Sequence, residues 1–531
     1  MLDGFVPWPV EFASRYRSLG YWRGETLDAA LRRYGSTFGD SAAVVDSDRS
    51  WTYSELDAEV DHYAAGLHAL GIRSRDRVVV QLPNRGEFIA VMYALLRVGA
   101  IPVFALPAHR AAEITHFVDS TDAVAYVTAD VIDGFDHREL ARAVRGQTGN
   151  LRHVIIFGAA AEFIPLDSLR QQPIEHPTAD PSDVAILLLS GGTTGLPKFV
   201  ARTHDDWAYS GRAVAAACSY DATTRHMVCL PLGHNWTLTH GLLATFDVGG
   251  TLILAESPDP GITFDLIERH RVTDTGLVPG VALVWVELAP GGSADLSSLR
   301  RVVIGGSKLP LELARRVEPA LGCQLHQAFG MAEGLCGFQD SDDDLETRLH
   351  AQGRPVSPDD ELLIVDHYGN PVLAGEIGEL LTRGPYTVRG YFRGGVHNRT
   401  SFTDNGFYRT GDLVRLLPNG QVVFEGRVKD QINRGGEKIA AEEVENHLLA
   451  HPAVRDAALI GVPDEILGER SCAVLVPHGA APEQPEIARF LTERGIAAYK
   501  IPDLIRIADT LPRTAIGKVD KKKLRQEEVT R

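Results

Sequence analysis

A chain of 531 residues is too long for one hydrophobic core and predicts roughly two to four domains. Its 44% hydrophobic and 23% charged residues suit a globular protein, and a net charge of −17 argues against nucleic-acid binding as its main task. The five cysteines (218, 229, 323, 336 and 472) are scattered with no C-x-x-C pairing, so neither a disulfide framework nor a zinc site is indicated.

The opening residues lack a basic start followed by an apolar core, so no secretory signal is expected. No apolar run approaches the roughly 20 residues of a membrane span. A cytoplasmic location is the expectation. Strands are predicted at 42–45, 77–81 and 101–105, with helices at 53–70 and 87–98. Thr52-Tyr-Ser-Glu55 reads as a capping box opening the first of these helices. Further strands are predicted at 184–189, 226–230, 250–255, 274–278 and 301–304, separated by helical stretches. Alternation of this kind implies βαβ units around largely parallel sheets. Ligands collect beyond the carboxyl ends of such strands. Ser190, His234-Asn235 and Gly305-Gly306-Ser307 all follow predicted strands there.

Short strands at 362–365, 377–382 and 421–424 predict a small β subdomain. An α+β unit follows, with helices at 442–449 and 485–494 and strands at 457–462 and 472–477. A polar connector, Lys429-Asp-Gln-Ile-Asn433-Arg-Gly435-Gly436, leads into it. The basic run Lys521-Lys522-Lys523 with Arg525 reads as a solvated helix face.

Five motifs carry chemistry. Ser190-Gly191-Gly-Thr193-Thr194-Gly195-Leu-Pro197-Lys198 empties a strand into glycines, hydroxyls and a cation, the components of a polyphosphate cradle. It is not a P-loop, because Leu196 and Pro197 separate the last glycine from the lysine. Gln327-Ala328-Phe329-Gly330-Met331-Ala332-Glu333 follows a predicted strand at 324–326 and offers one hard oxygen donor, Glu333, for a nucleotide-bound Mg²⁺. Tyr408-Arg-Thr410-Gly411-Asp412 places a carboxylate after a loop. Gly426-Arg427-Val-Lys429-Asp430 closes the β region, and Leu511-Pro-Arg-Thr514-Ala-Ile-Gly517-Lys518 sets a lysine on a distant turn.

In this order the motifs resemble the adenylate-forming superfamily of acyl-CoA synthetases, adenylation domains and luciferase. The likeness covers essentially the whole chain. Arg202-Thr203-His204-Asp205-Asp206, Pro231-Leu-Gly-His234-Asn235, 384–391 and 430–438 look most like the stand-alone aryl-acid–AMP ligases of the 2,3-dihydroxybenzoate type. The resemblance implies a large N-terminal domain (1–428) of two α/β subdomains (about 1–180 and 181–350) and a β-barrel-like subdomain (351–428). A mobile α+β domain (429–531) would follow, hinged near Lys429. ATP and Mg²⁺ are the implied cofactors.

Roles follow from the same likeness. Ser190, Gly191, Thr193, Thr194 and Lys198 would grip the β- and γ-phosphates. Gly306, Gln327, Phe329 and Gly330 would line the adenine and ribose path, with Met331 and Ala332 at the α-phosphate. Glu333 would hold Mg²⁺, Asp412 and Arg427 the ribose, and Lys518 would serve adenylation. His234, Asn235, Trp236, His240, Gly305, Gly306, Ser307, Ala328, Leu335 and Cys336 would line the aryl-acid pocket, with Cys336 an apolar packer.

The implied reaction makes an aryl-AMP from a salicylate- or dihydroxybenzoate-like acid and hands the acyl group to the phosphopantetheine of an aryl carrier protein in siderophore or other nonribosomal peptide synthesis. Coenzyme A is the alternative acceptor, and a silent nucleotide-binding paralogue the remote alternative. A tRNA synthetase would want a basic face that this charge does not suggest. The segment 236–241 departs from the dihydroxybenzoate pattern by a turn one residue shorter, which leaves the ring substituents open.

Overall fold

The computed structural model describes residues 2–47, 49–190, 197–435, 437–464, 466–514 and 517–529, with the side chains of Lys438 and Val529 outside the description. Thr52 caps the helix Tyr53–Ala69 as its sequence dictates: Glu55 N–H donates to Thr52 Oγ1 at 3.1 Å and Thr52 N–H to Glu55 Oε2 at 2.8 Å. The helix Gly86–Val98, apolar apart from Glu87 and Arg97, is buried along its whole length, the behaviour of a helix enclosed within the core.

Two large sheets form the N-terminal domain. One has seven strands in the order Phe199–Thr203, Val184–Leu189, Ile101–Phe104, Arg77–Gln81, Ala123–Ala129, His153–Phe157 and Ile164–Pro165. It is parallel apart from the Val184–Leu189/Phe199–Thr203 pair. The other has nine, with a parallel centre built from Gln324–Gly330, Arg301–Ile304, Asp274–Leu277, Arg225–Val228, Thr251–Leu254 and Ala42–Val45.

The chain exchanges strands between these layers. Ala42–Val45 and Ser50–Thr52 complete the nine-stranded sheet, whereas Val184–Leu189 and Phe199–Thr203 complete the seven-stranded one. A cut at residue 180 therefore does not separate the sheets.

Glu361–Val365, Gly378–Arg383, Tyr408–Leu416 and Val422–Arg427 form a four-stranded antiparallel meander. The sequence reading ended a loop at Asp412; instead Tyr408–Leu416 is a strand throughout. The C-terminal domain packs helices Ala441–Leu449 and Gln484–Glu493 on a five-stranded sheet. Its connector is more structured than a polar linker: Ile432–Arg434 and Glu437–Ile439 pair as a hairpin. The helix Lys521–Val529 is only partly the solvated face expected. Lys521 Nζ meets Glu445 at 2.7 Å and Arg525 meets Asp430 at 2.9 Å, while Lys522 and Lys523 are exposed. Among the described residues no helix is long and apolar enough to cross a membrane.

Candidate active site

Ser190 and Lys198 close the base of the glycine-rich loop. Val184–Leu189 and Phe199–Thr203 pair antiparallel, Ser190 N–H donates to Lys198 O at 2.9 Å, and Lys198 N–H donates to Ser190 Oγ at 3.1 Å. The Ser190 hydroxyl thus accepts a bond from Lys198 N–H and keeps its own proton to donate. Gly191, Thr193 and Thr194 lie outside the described residues.

Beyond this loop opens a cleft of about 940 Å³ between the two domains. Ser190, His234, Gly306, Ser307, Ala328, Phe329, Gly330, Asp412, Arg427, Lys429 and Lys518 all line it. The turn carrying Lys518 is held by Thr514 N–H to Lys518 O (2.7 Å), Gly517 N–H to Thr514 O (2.9 Å) and Arg513 to Gly517 O (2.9 Å). Arg513 is tied in turn to Asp456 at 2.6 Å.

The turn docks on residues that sequence reasoning left unassigned, Val278 and Gly280. A Cβ on Gly517 would lie 3.6 Å from Val278 Cγ2, and one on Gly280 would lie 3.2 Å from Arg513. Gly306 adopts φ +85°, and its missing side chain faces Lys518, whose Cε lies 3.8 Å from where a Cβ would stand. Lys518 is therefore seated inside the cleft.

Charge in the cleft is dense. Burial lowers the Lys518 ammonium to about 8, Arg427 and Lys429 push the same way, and Asp412 and Glu442 oppose them. Burial raises the Asp412 carboxyl while Arg427 and Lys518 hold it down. His234 is neutral, lowered to about 4 by burial and by Lys518. Its Nδ1 accepts from Trp236 N–H at 3.2 Å, which places its proton on Nε2.

Glu333 is buried and accepts from the Tyr391 hydroxyl at Oε1, 2.8 Å. No donor among the described residues bonds its Oε2, so one oxygen is anchored and the other fits a hard cation. Its loop is fixed from behind: Arg202, in a buried pair with Asp206, donates to Ala332 O at 3.3 Å. Gly334 packs so closely that a Cβ would stand 2.4 Å from Thr387 Cα.

Two assignments on and just after the strand Gln324–Gly330 change. The strand runs through Gly330, so Gln327 lies within it. Its amide is consumed by Arg348 O and Leu349 O (both 2.9 Å) and by Gln352 (3.0 Å), which turns it away from any nucleotide. Leu335 packs with Leu380, Val414, Val422 and Phe424 under the meander, not on the pocket floor.

Cys336 does pack beside Ala328, Phe338 and Trp236. Burial pushes its thiol up to about 12, which suits a packer and not a nucleophile. The expected turn at 236–241 is instead the start of a buried π-helical segment, Thr237–Leu243. Trp236 stacks on Phe338 (centroids 5.8 Å, 4°) and lies against Gly276 and Gly305, where a Cβ would meet its ring at 2.6 and 2.9 Å.

His240 Nε2 and His226 Nδ1 both meet the Tyr220 hydroxyl, at 3.0 and 2.9 Å. The other nitrogen of His240, Nδ1, is buried with no hydrogen-bond partner among the described residues. Asn235 Oδ1 accepts from Thr239 at 3.2 Å, leaving its NH₂ as the half able to reach a substrate.

Residues 31–392 match the AMP-binding enzyme family and residues 443–518 the AMP-binding enzyme C-terminal domain. The chain is 51% identical over 527 residues to the 2,3-dihydroxybenzoate-AMP ligase of Bacillus subtilis (strain 168), covering 99% of this chain and 98% of that one. It is 47% identical over 530 residues to the salicyl-AMP ligase / salicyl-S-ArCP synthetase of Mycobacterium tuberculosis, covering 98% and 94%. The apo structure of Mycobacterium smegmatis MbtA superposes with a TM-score of 0.78 at 44% identity, covering 99% of each chain. The chain belongs to the AMP-binding enzyme family, in its aryl-acid–AMP ligase branch.

Proposed function

We propose that this protein activates an aromatic carboxylic acid with ATP, releasing pyrophosphate and forming an aryl-AMP. The acyl group then passes to the phosphopantetheine thiol of an aryl carrier protein. The observation that carries this reading is the meeting of Ser190, His234, Gly306, Asp412, Arg427 and Lys518 around one cleft, with Lys518 arriving from the other domain.

In this reading Lys198 and the loop it closes hold the β- and γ-phosphates, and Asp412 and Arg427 hold the ribose. As the carboxylate attacks the α-phosphorus, charge gathers on the non-bridging oxygens, and the half-buried Lys518 ammonium answers it within the cleft. Glu333 would hold Mg²⁺, which supplies charge neutralisation on the phosphates when bound. Neutral His234 and the Asn235 amide orient the ring. A carrier-protein acceptor is supported by the likeness to the mycobacterial salicyl-AMP ligase / salicyl-S-ArCP synthetase.

A lysine seated this deeply obstructs thiol entry. The second step therefore calls for rotation of the C-terminal domain, which we place at the exposed Lys429 in the turn Val428–Asp430.

Exchange of labelled pyrophosphate into ATP, run over a panel of benzoates, picolinates and anthranilates, tests the first step. Exchange with fatty or amino acids only would sink the aryl assignment. Transfer to a phosphopantetheinylated carrier protein should exceed transfer to coenzyme A; the reverse preference would make the protein an aryl-CoA ligase.

A further inference from the structure

One phenol sits between two site residues that lie 135 positions apart in the sequence. Tyr391 is 3% exposed, and its hydroxyl donates to Glu333 Oε1 at 2.8 Å. On the ring face stands Lys198, with Nζ 4.6 Å from the centroid. The Tyr408 hydroxyl lies 3.1 Å from that of Tyr391. A phenol carries one proton, so with the Tyr391 proton given to Glu333, Tyr408 must donate to Tyr391. The result is a directed chain, Tyr408 to Tyr391 to Glu333, running from the strand that bears Asp412.

The backbone around Tyr391 is equally fixed. Tyr391 N–H donates to Asn398 Oδ1 at 2.8 Å, and its neighbour Phe392 bridges to Phe199, the residue after Lys198. Its ring therefore has little freedom to follow either partner, and both must conform to it.

We propose that Tyr391 is a positioning residue that sets the Glu333 carboxylate and the Lys198 ammonium at a fixed separation, so that the cation-holding and phosphate-holding parts of the site act as one unit. The inference rests on the ATP-binding reading above. The edge of the phenol orients the carboxylate by hydrogen bonding, and its face holds the ammonium by cation–π attraction. The two functions are chemically separable, because phenylalanine keeps the face and lacks the hydroxyl.

Calorimetric binding of ATP, in excess EDTA and then with Mg²⁺, tests this on the full chain. Tyr391→Phe should bind metal-free ATP within about twofold of the parent protein. It should lose about 10- to 100-fold in the enhancement that Mg²⁺ gives, the range for removing a group that orients a metal ligand. Tyr391→Leu should lose that and also bind metal-free ATP about three- to tenfold more weakly, because the ring face is gone.

Melting curves of both variants check folding, and Tyr391→Phe changes no packing volume beyond one hydroxyl. Identical behaviour of the Phe variant and the parent would overturn the role of the hydroxyl. Equal losses with and without Mg²⁺ in the Phe variant would reduce Tyr391 to a packing residue. A parent protein that binds no ATP in either condition would instead overturn the underlying assignment.

Discussion

Arg427 Nε lies 2.8 Å from Asp412 Oδ1, and the two residues occupy opposed positions on neighbouring antiparallel strands. Strand register thus delivers a carboxylate already oriented by its counter-ion to the wall of the cleft. Burial, with Glu333 nearby, drives the Asp412 carboxyl upward, and Arg427 does most to hold it down. Arg427→Gln should therefore raise that carboxyl further. In the proposed reading the ionised Asp412 holds the ribose, so nucleotide affinity should be lost at a higher pH on acidification than in the parent protein. Near neutral pH the KM for ATP should rise about tenfold or more. An unchanged acid limb in the KM profile would contradict this.

Lys518→Ala should remove adenylation by about a hundredfold or more, measured by pyrophosphate exchange. Thioester formation from pre-made aryl-AMP should be largely spared, since that step does not use the seated ammonium. Equal losses in both steps would refute alternation of the domains.

The proton on Lys518 should be visible in the pH profile. Its pKa is lowered to about 8, so the ammonium is complete well below that pH and is lost as pH rises through it. The kcat/KM for adenylation should accordingly fall on the basic side near pH 8. Bound ATP adds negative charge and raises the pKa, so the kcat limb should lie at higher pH. Coincident limbs would argue that another group titrates.

Gly276, behind the proposed aryl-acid pocket, should be intolerant of a single methyl group. Gly276→Ala places a Cβ 2.6 Å from Trp236 Nε1 and 3.1 Å from His240 Nδ1, so the indole must shift. We expect KM for the aryl acid to rise more than KM for ATP, with the bulkier acids of the panel affected most. Parallel changes in both constants would point to general destabilisation.

Arg202 and Asp206 test the support of the Glu333 loop. Both side chains are essentially inaccessible, and removing one leaves the other charge buried without its partner. Arg202→Met should cost about 3–5 kcal/mol in denaturant unfolding. Loss of the bond to Ala332 O should also weaken the Mg²⁺ dependence of exchange. A stability change under 1 kcal/mol would show that the pair is dispensable.

Local pattern was enough for many elements. The strands Arg77–Gln81, Val184–Leu189 and Arg301–Ile304 match their sequence-predicted bounds, and the Thr52–Glu55 box caps its helix as expected. These are apolar runs bounded by turn residues, or a motif complete within four positions. The misread elements had partners outside their own window. Tyr408–Leu416 is half-polar yet becomes a strand because Gly378–Arg383 and Val422–Arg427 flank it. The connector after Lys429 becomes a hairpin because Arg434 pairs with Gly468 and with Asp503.

The amino-acid order by itself determined that this protein carries the motifs of an adenylate-forming ligase, because each motif is written in contiguous residues. Only the tertiary structure decided which side chains face the cleft. Gln327 turned to backbone carbonyls and Leu335 to the meander core, while Tyr391 came to Glu333 and Lys518 to Gly306. Side-chain direction follows from strand register and domain docking, and these are settled by burial across residues far apart in the chain.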